Sequence, residues 1–585
     1  MVRSARRPAI EDDTETLAVD VVERPSRTTA LADPPILSRV RAAVSREDAF
    51  ERYFPYFLCA VTIAALVPSL VVGVTKSMTI DGYWNVFIAT QDRWSMFLSE
   101  NQHDEHPMLY RLLLRMVAHL GSSRLTYRSL SIIPGLATIY AIGLVASRVC
   151  LRKSVALLAA IAYGFSATII NIMCEVRGYS LALFFIVAAF YQLVRFLDGG
   201  SLLRRKRSLL WFGAMTSLAI GTEFYSVLFL SSCVVFLLSM SLRHSQFRRD
   251  VLRWTLVRGH PLVVAFGLPA VVALGLYFGH ERNKLFPHVY LAQFYWTRND
   301  PVIPFVLRNL RNEFDFMAPV GISSMLLVVI LVAGVVLAAL YFSCVRANQT
   351  KTLIATTPAL ILVFLLAQLI LLSLWRRYPF GGELRHQSII FPFVTLAAFV
   401  ALDRMVAFLP YDGWRIGTVG LAALLTISTL YLHWTPRVFE EEGYSPEFRS
   451  FQSNFSSTPA IYVDQFSLLN YYSQTSALKW RFLQHYHARE AIDAYQVSSA
   501  NGHVELLRDL DQFDFDLGSP TFYTSLRQVI SETRLGTVTL FFVNSRWRHQ
   551  NPPEQTVRRL ADDAGLTVGA VLRSDSETFA AFSLR

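Results

Sequence analysis

The chain contains several stretches of about 20 residues without a formal charge, the length a helix needs to cross a bilayer core. Tyr56–Val74, Ser154–Met173, Phe316–Val345, Thr352–Trp375 and Ile416–Trp434 all qualify. Such segments force one solution, because a backbone in hydrocarbon must satisfy its own hydrogen bonds. The composition agrees: 53% of residues are hydrophobic and 17% charged, against roughly 25% charged in soluble domains. The fold class expected is a polytopic α-helical membrane protein.

The spans expected are 56–74, 129–147, 154–173, 178–194, 208–222, 224–242, 261–279, 320–345, 352–375, 387–403 and 416–434, about 11 transmembrane helices. Ser208–Leu242 is too long for one helix and holds a single charge, Glu223 in GTEFYS, so it reads as a tight hairpin turning there. Met108–Leu120 carries Arg111, Arg115 and His119 and falls short of a span. It reads as an amphipathic helix at the outer membrane face. This count puts the densest basic runs, such as Arg204–Arg207, on the cytoplasmic side, as the positive-inside rule requires. The opposite count would put them outside.

The net charge of +11 is then explained by cytoplasmic loops, and nucleic acid is not an expected partner. The five cysteines, Cys59, Cys150, Cys174, Cys233 and Cys344, lie in or beside apolar segments and have no spacing typical of zinc or disulfides. Residues 1–50 lack an apolar core, so they read as a disordered cytoplasmic tail rather than a signal peptide. Residues 51–435 form the membrane domain. From residue 436 charges become frequent, and 436–585 reads as a small extracytoplasmic α/β domain. There, 459–464 and 537–544 read as buried strands, GHVELLRDLDQF, TSLRQVISETR and EQTVRRLADDAG as amphipathic helices, and the chain end as a strand pair.

Four outer segments carry chemistry. Asp81, in SMTIDGYWN, stands about two turns past the first span, where a carboxylate can act as general base toward a hydroxyl; the alternative is a helix-cap aspartate. His103-Asp104-Glu105-His106 precedes Pro107. Asp104 is a candidate catalytic acid, and His103 and His106 with a carboxylate are candidate ligands for a divalent metal. The acids and proline also suit an ordinary helix start. Glu175 and Arg177, in CEVRGYS, stand between two spans, where charge is costly and faces a cavity or a partner, or forms an ion pair in a solvated turn. Arg376, Arg377, Arg385 and His386 cluster outside, against the positive-inside trend. Guanidinium groups there suit an anionic phosphate, whether of a substrate or of lipid headgroups. Together the four suit a lipid-phosphate substrate with its tail in the membrane.

At these residues the sequence resembles the GT-C glycosyltransferases, in the bacterial branch related to protein O-mannosyltransferases and the lipid A aminoarabinose transferase. The features matched are Asp81 after the first span, Asp104-Glu105-His106-Pro107 with Leu109-Tyr110, then Glu175, Arg177 and Tyr179, then Tyr378 to His386. The family often has Asp-Glu where this chain has Asp81-Gly82, and Pro where it has Met108. The resemblance covers roughly 55–435 and implies a GT-C fold. It also implies an inverting transfer from a polyprenyl-phosphate sugar donor to an envelope acceptor at the extracytoplasmic face of the inner (cell) membrane. It makes Asp81 the preferred base and Asp104 the second candidate. It puts Arg177 and Arg385 on the donor phosphate, with Glu105, His106, Glu175, Tyr179 and His386 also toward substrate. No soluble nucleotide sugar is needed, no cofactor is assigned, and a divalent metal at His103 and His106 is a candidate. A transporter or flippase of lipid-linked sugars is the other reading. Transporters tend to show internal repeats and mid-membrane charge, and this sequence shows neither clearly.

Overall fold

A computed structural model describes residues 35–75, 78–91, 93–103, 106–199, 201–243, 260–282, 294–297, 299–317, 334–335, 350–381, 385–407, 420, 460–463, 480–482, 492–499, 502–509, 537–543, 557–559, 561–562, 565–573 and 579–584. The chain divides into two compact units, 1–52 and 53–585. Helix begins at Pro35, inside the stretch expected to be irregular. Its residues 36–50 are mostly good helix formers free of Pro and Gly.

Fourteen helices are named here: α1 (Pro35–Thr75), α2 (Ile80–Ala89), α3 (Trp94–His103), α4 (Leu109–Ala118), α5 (Arg124–Val149), α6 (Lys153–Gly164), α7 (Ala167–Cys174), α8 (Tyr179–Leu197), α9 (Leu202–Thr222), α10 (Val227–Arg243), α11 (His260–Leu276), α12 (Val302–Met317), α13 (Thr350–Leu374) and α14 (Phe391–Ala407). Among the described residues, seven helices are long and apolar enough to span a membrane, and α6 with α7 adds an eighth bent by 57°. Each falls on one of the expected spans. The expected span 208–222 is the apolar end of α9, whose first turns carry the Arg204–Arg207 cluster. The spans expected at 320–345 and 416–434 lie outside the described residues, apart from Gly334, Val335 and Gly420. The hairpin at Glu223 is present: α9 ends at Thr222, and a 3₁₀ turn at Phe224–Ser226 leads into α10.

Aromatic packing fills the bundle. Phe393 of α14 meets Phe190 of α8 edge-on at 5.1 Å and stacks on Phe229 of α10 at 5.7 Å. Polar side chains also join the spans. Gln368 of α13 donates to Ser232 of α10 at 2.7 Å, and Ser231 donates back to the Gln368 carbonyl. Such pairs hold helices together where lipid is as apolar as leucine.

Two buried arginines assemble one end of the bundle. Arg128 of α5, wholly buried, donates to the Cys174 carbonyl at 2.8 Å and to the Gly73 carbonyl at 2.6 Å. Both acceptors sit at helix C-termini, α7 and α1, where carbonyls lack intrahelical partners and the dipole is negative. Arg111 of α4, 1% exposed, donates to Asn85 at 2.7 Å, to Asn101 at 3.1 Å and to the His106 carbonyl at 3.3 Å. Arg115 caps the end of α2 through the Ala89 carbonyl at 3.1 Å and the Gln91 carbonyl. The amphipathic helix expected at 108–120 is therefore α4, with both arginines turned into protein.

The C-terminal region holds a seven-stranded mixed sheet of β1 (Ala460–Val463), β2 (Trp480–Phe482), β3 (Ile492–Ser499), β4 (Gly502–Asp509), β5 (Val538–Val543), β6 (Val568–Arg573) and β7 (Phe579–Leu584), in the order β2-β3-β4-β1-β5-β7-β6. β1 runs parallel to β4 and β5, and the other pairs are antiparallel. The expected strands at 459–464 and 537–544 and the terminal strand pair are present. Within GHVELLRDLDQF, expected as a helix, Gly502–Asp509 is instead a strand that pairs with β3 over its whole length, and 510–513 lie outside the described residues. Its leucines and glutamate favour helix weakly, and the cross-strand partners override that preference. Of the other two expected helices, 557–559 and 561–562 are helical, and TSLRQVISETR lies outside the described residues.

Replacing Arg128 with Met should destabilise the protein by roughly 2–6 kcal/mol, since two buried carbonyls each lose a partner at about 1–3 kcal/mol. Thermal unfolding of the purified variant in detergent checks this, and an unchanged midpoint contradicts it.

Candidate active site

Asp81 lies in the first turn of α2, which Thr79 caps by accepting from the Gly82 amide at 3.1 Å. The cap fixes the helix start and so the direction of the Asp81 side chain. Asp81 Oδ2 meets the Arg177 guanidinium at 2.7 Å, with the carboxylate side chain 39% exposed and the guanidinium 12%. Two segments that the sequence could only place on one side of the membrane thus meet directly. Asn85, one turn on, donates to the Val176 carbonyl at 3.1 Å, pinning α2 to the turn that carries Arg177.

Arg177 also donates to the Tyr179 hydroxyl at 2.6 Å. Burial alone would pull its pKa down. The charges of Asp81, Tyr179, Glu175 and Glu223 outweigh that and hold it above the ordinary arginine value, so the guanidinium stays charged. Tyr179 stacks on Tyr225 at 6.4 Å and meets the His106 ring edge-on at 6.2 Å. Tyr225 in turn bonds Ser388 at 3.2 Å, which brings in the 3₁₀ turn at Arg385–Ile390.

A second charged pair stands beside the first. His106 Nδ1 is 3.0 Å from Glu223 Oε2, and the His106 carbonyl accepts from both Arg111 and His280. Gly178 makes this approach feasible: a Cβ there would lie 2.5 Å from Glu223 Oε1 and 3.1 Å from the Thr222 carbonyl. A small cavity is lined by Asn85, His106, Tyr110, Arg111, Arg177 and Glu223, among others. Burial raises the Tyr110 phenol far above its usual range, so that residue serves as a neutral hydrogen-bonding group, held at 2.9 Å by Ser131.

The structure therefore gathers Asp81, His106, Arg177 and Tyr179. Glu175 is buried one residue past the end of α7, within electrostatic range of Arg177. Asp104 and Glu105 lie outside the described residues, as do the side chains of His103, Arg385 and His386. Among the described residues, no group of three His, Cys, Asp or Glu side chains is arranged to hold a metal ion. Glu223 was read only as a turn residue. Its signal was present all the same, as one charge in an otherwise apolar run.

A family model described as dolichyl-phosphate-mannose-protein mannosyltransferase matches residues 105–271. No curated protein sequence matches the chain. Among solved structures, ArnT from Cupriavidus metallidurans aligns in its apo state and bound to undecaprenyl phosphate. Each time the identity is 14%, the TM-score 0.54, and the alignment covers 90% of this chain and 97% of the other. The Archaeoglobus fulgidus oligosaccharyltransferase aligns at 12% identity and a TM-score of 0.47, over 91% of this chain and 74% of that one. The chain shares the fold of ArnT, which agrees with the architecture that the GT-C resemblance implied.

Gly178→Ala should push Glu223 off His106 and destabilise the protein by about 1–3 kcal/mol, the usual cost of overpacking. Thermal unfolding reads the effect, and a wild-type midpoint would contradict the close approach.

Proposed function

We propose that this GT-C-fold protein, a relative of protein O-mannosyltransferases and the aminoarabinose transferase, moves a sugar from a polyprenyl-phosphate donor to an envelope acceptor. The observation carrying this is the Asp81–Arg177 pair. A general-base candidate and a mostly buried, charged guanidinium sit together at the end of a bundle of apolar spans. The neighbour bound to undecaprenyl phosphate supports a lipid-phosphate donor.

The step is a single displacement. The acceptor hydroxyl oxygen attacks the anomeric carbon, and the carbon–oxygen bond to phosphate breaks. The hydroxyl proton passes to Asp81, and polyprenyl phosphate leaves as an anion. Arg177 performs two tasks: it orients the Asp81 carboxylate and supplies fixed positive charge where negative charge develops. Arg385 is a second phosphate contact by its sequence position. His106, held by Glu223 and stacked edge-on to Tyr179, shapes the wall of the site. For a divalent metal the site offers His106, its Nδ1 engaged by a carboxylate as in many metal-bound imidazoles, and no step is routed through one.

The site faces outside the cell membrane in this proposal, with the N-terminus and the Arg204–Arg207 cluster inside. Arg148 and Asp198, paired at 3.0 Å, and Asp403, which accepts from the Leu151 amide, belong to the opposite end of the bundle. Basic residues concentrate there as the positive-inside rule demands.

Membranes carrying the protein, given labelled polyprenyl-phosphate sugars and envelope extract, should release free polyprenyl phosphate. Asp81→Asn should lower the rate by about 100-fold or more, the usual worth of a positioned base, while leaving donor binding within a few-fold. Equal release by both would move the base to another residue, and no release from any donor would overturn the proposal.

A further inference from the structure

Helix α12 presents a face that the displacement step does not use. Phe305, Asn309 and Glu313 recur at four-residue spacing, so they lie along one side of the helix. They are 1%, 1% and 0% exposed. Phe305 suits that burial. The two polar residues do not: Asn309 Nδ2 and both Glu313 carboxyl oxygens are buried with no hydrogen-bond partner among the described residues. Burial alone drives the Glu313 pKa well above the carboxylate range, so the group is a neutral acid, with one O–H to donate and a carbonyl to accept. Native proteins seldom leave such groups unmatched, and where they do a ligand or a function is the usual reason.

What packs against this face ties it to the site. Gly381, in the YPFGG turn, has φ +85°, and a Cβ there would lie 2.4 Å from the Asn309 Cβ and 2.7 Å from its Cα. The turn therefore presses directly on Asn309. It is anchored by the Phe380 amide, which donates to the Phe294 carbonyl at 3.0 Å. The same segment reaches the candidate active site: Gln387 accepts from the Gly381 amide at 3.2 Å and donates to the Pro379 carbonyl at 2.7 Å, and its neighbour Ser388 bonds Tyr225, which stacks on Tyr179. One aromatic turn thus adjoins both the candidate active site and the polar face of α12.

We propose that Asn309 and Glu313 form a subsite that binds hydroxyl groups of the transferred sugar, with Tyr378 as its aromatic wall. This rests on the glycosyl-transfer reading above and specifies which part of the donor is recognised where. The chemistry selects the ligand class. A neutral acid and an amide carry no positive charge, so they do not suit a phosphate. They offer two donors and an acceptor close together beside aromatic rings, the combination that holds an uncharged, hydroxylated ring by its edge and its face. Here Glu313 and Asn309 are substrate-positioning residues, while Asp81 performs the chemistry.

The test separates sugar from phosphate. Purified full-length protein in lipid nanodiscs is titrated with bare polyprenyl phosphate and with the same lipid bearing a hexose or a pentose. The wild type should bind at least one sugar-bearing lipid about tenfold or more tightly than the bare one. Glu313→Leu and Asn309→Leu should abolish that preference while leaving bare-lipid binding unchanged. Glu313→Gln, which keeps a donor and an acceptor, should retain most of it. Melting temperature gives a second readout: removing an unpartnered buried acid should leave it unchanged or raise it. Parallel loss of both lipids, a lowered melting temperature, or a preference that survives both Leu variants overturns the subsite. A wild type that binds neither lipid overturns the glycosyl-transfer reading itself.

Discussion

The arrangement depends on how the ends of broken and finished helices are satisfied inside an apolar bundle. Arg128 stands where the first span ends and where the bent third span ends, and its guanidinium takes carbonyls from both. Unpaired, those carbonyls would carry the full cost of burial. Paired, they fix α1 and α7 against α5, and with α7 the turn Glu175–Gly178 that follows it. The Asp81–Arg177 contact follows from that geometry. Arg111 plays the corresponding part at Asn101 and His106, donating to the side-chain amide of the one and to the carbonyl of the other.

Among the described residues, charged pairs stand at both ends of the bundle, and the ends are unlike. At one, arginines pair with single acids at its edge, as Arg148 does with Asp198. At the other, arginines are buried among carbonyls, amides and two acid-containing pairs. A bundle that merely crossed a membrane would have no use for a 12% exposed guanidinium ion-paired to a half-exposed carboxylate. An enzyme that must present a base and stabilise a departing phosphate has use for both.

The membrane spans were plain in the sequence because twenty charge-free residues have few alternative folds. Asp81, His106, Arg177 and Tyr179 were also visible, since polar residues beside apolar spans are costly enough to need a reason. Their mutual pairing was not visible: Asp81 could as well have capped its own helix, a place that Thr79 takes while Asp81 turns to Arg177. Glu223 was hidden by its turn, and Asn309 and Glu313 by an amphipathic helix in which polar residues normally face water. Gly502–Asp509 misled in the other direction, because its composition suits a helix and its partners make it a strand.

The most direct test of a single displacement at Asp81 is the configuration of the product. Purified protein would be given a polyprenyl-phosphate sugar of known anomeric form with its acceptor, and the new glycosidic bond examined by NMR before any rearrangement. Inversion at the anomeric carbon is the predicted result. Retention would require a second nucleophilic step and contradict a mechanism in which Asp81 only removes the acceptor proton.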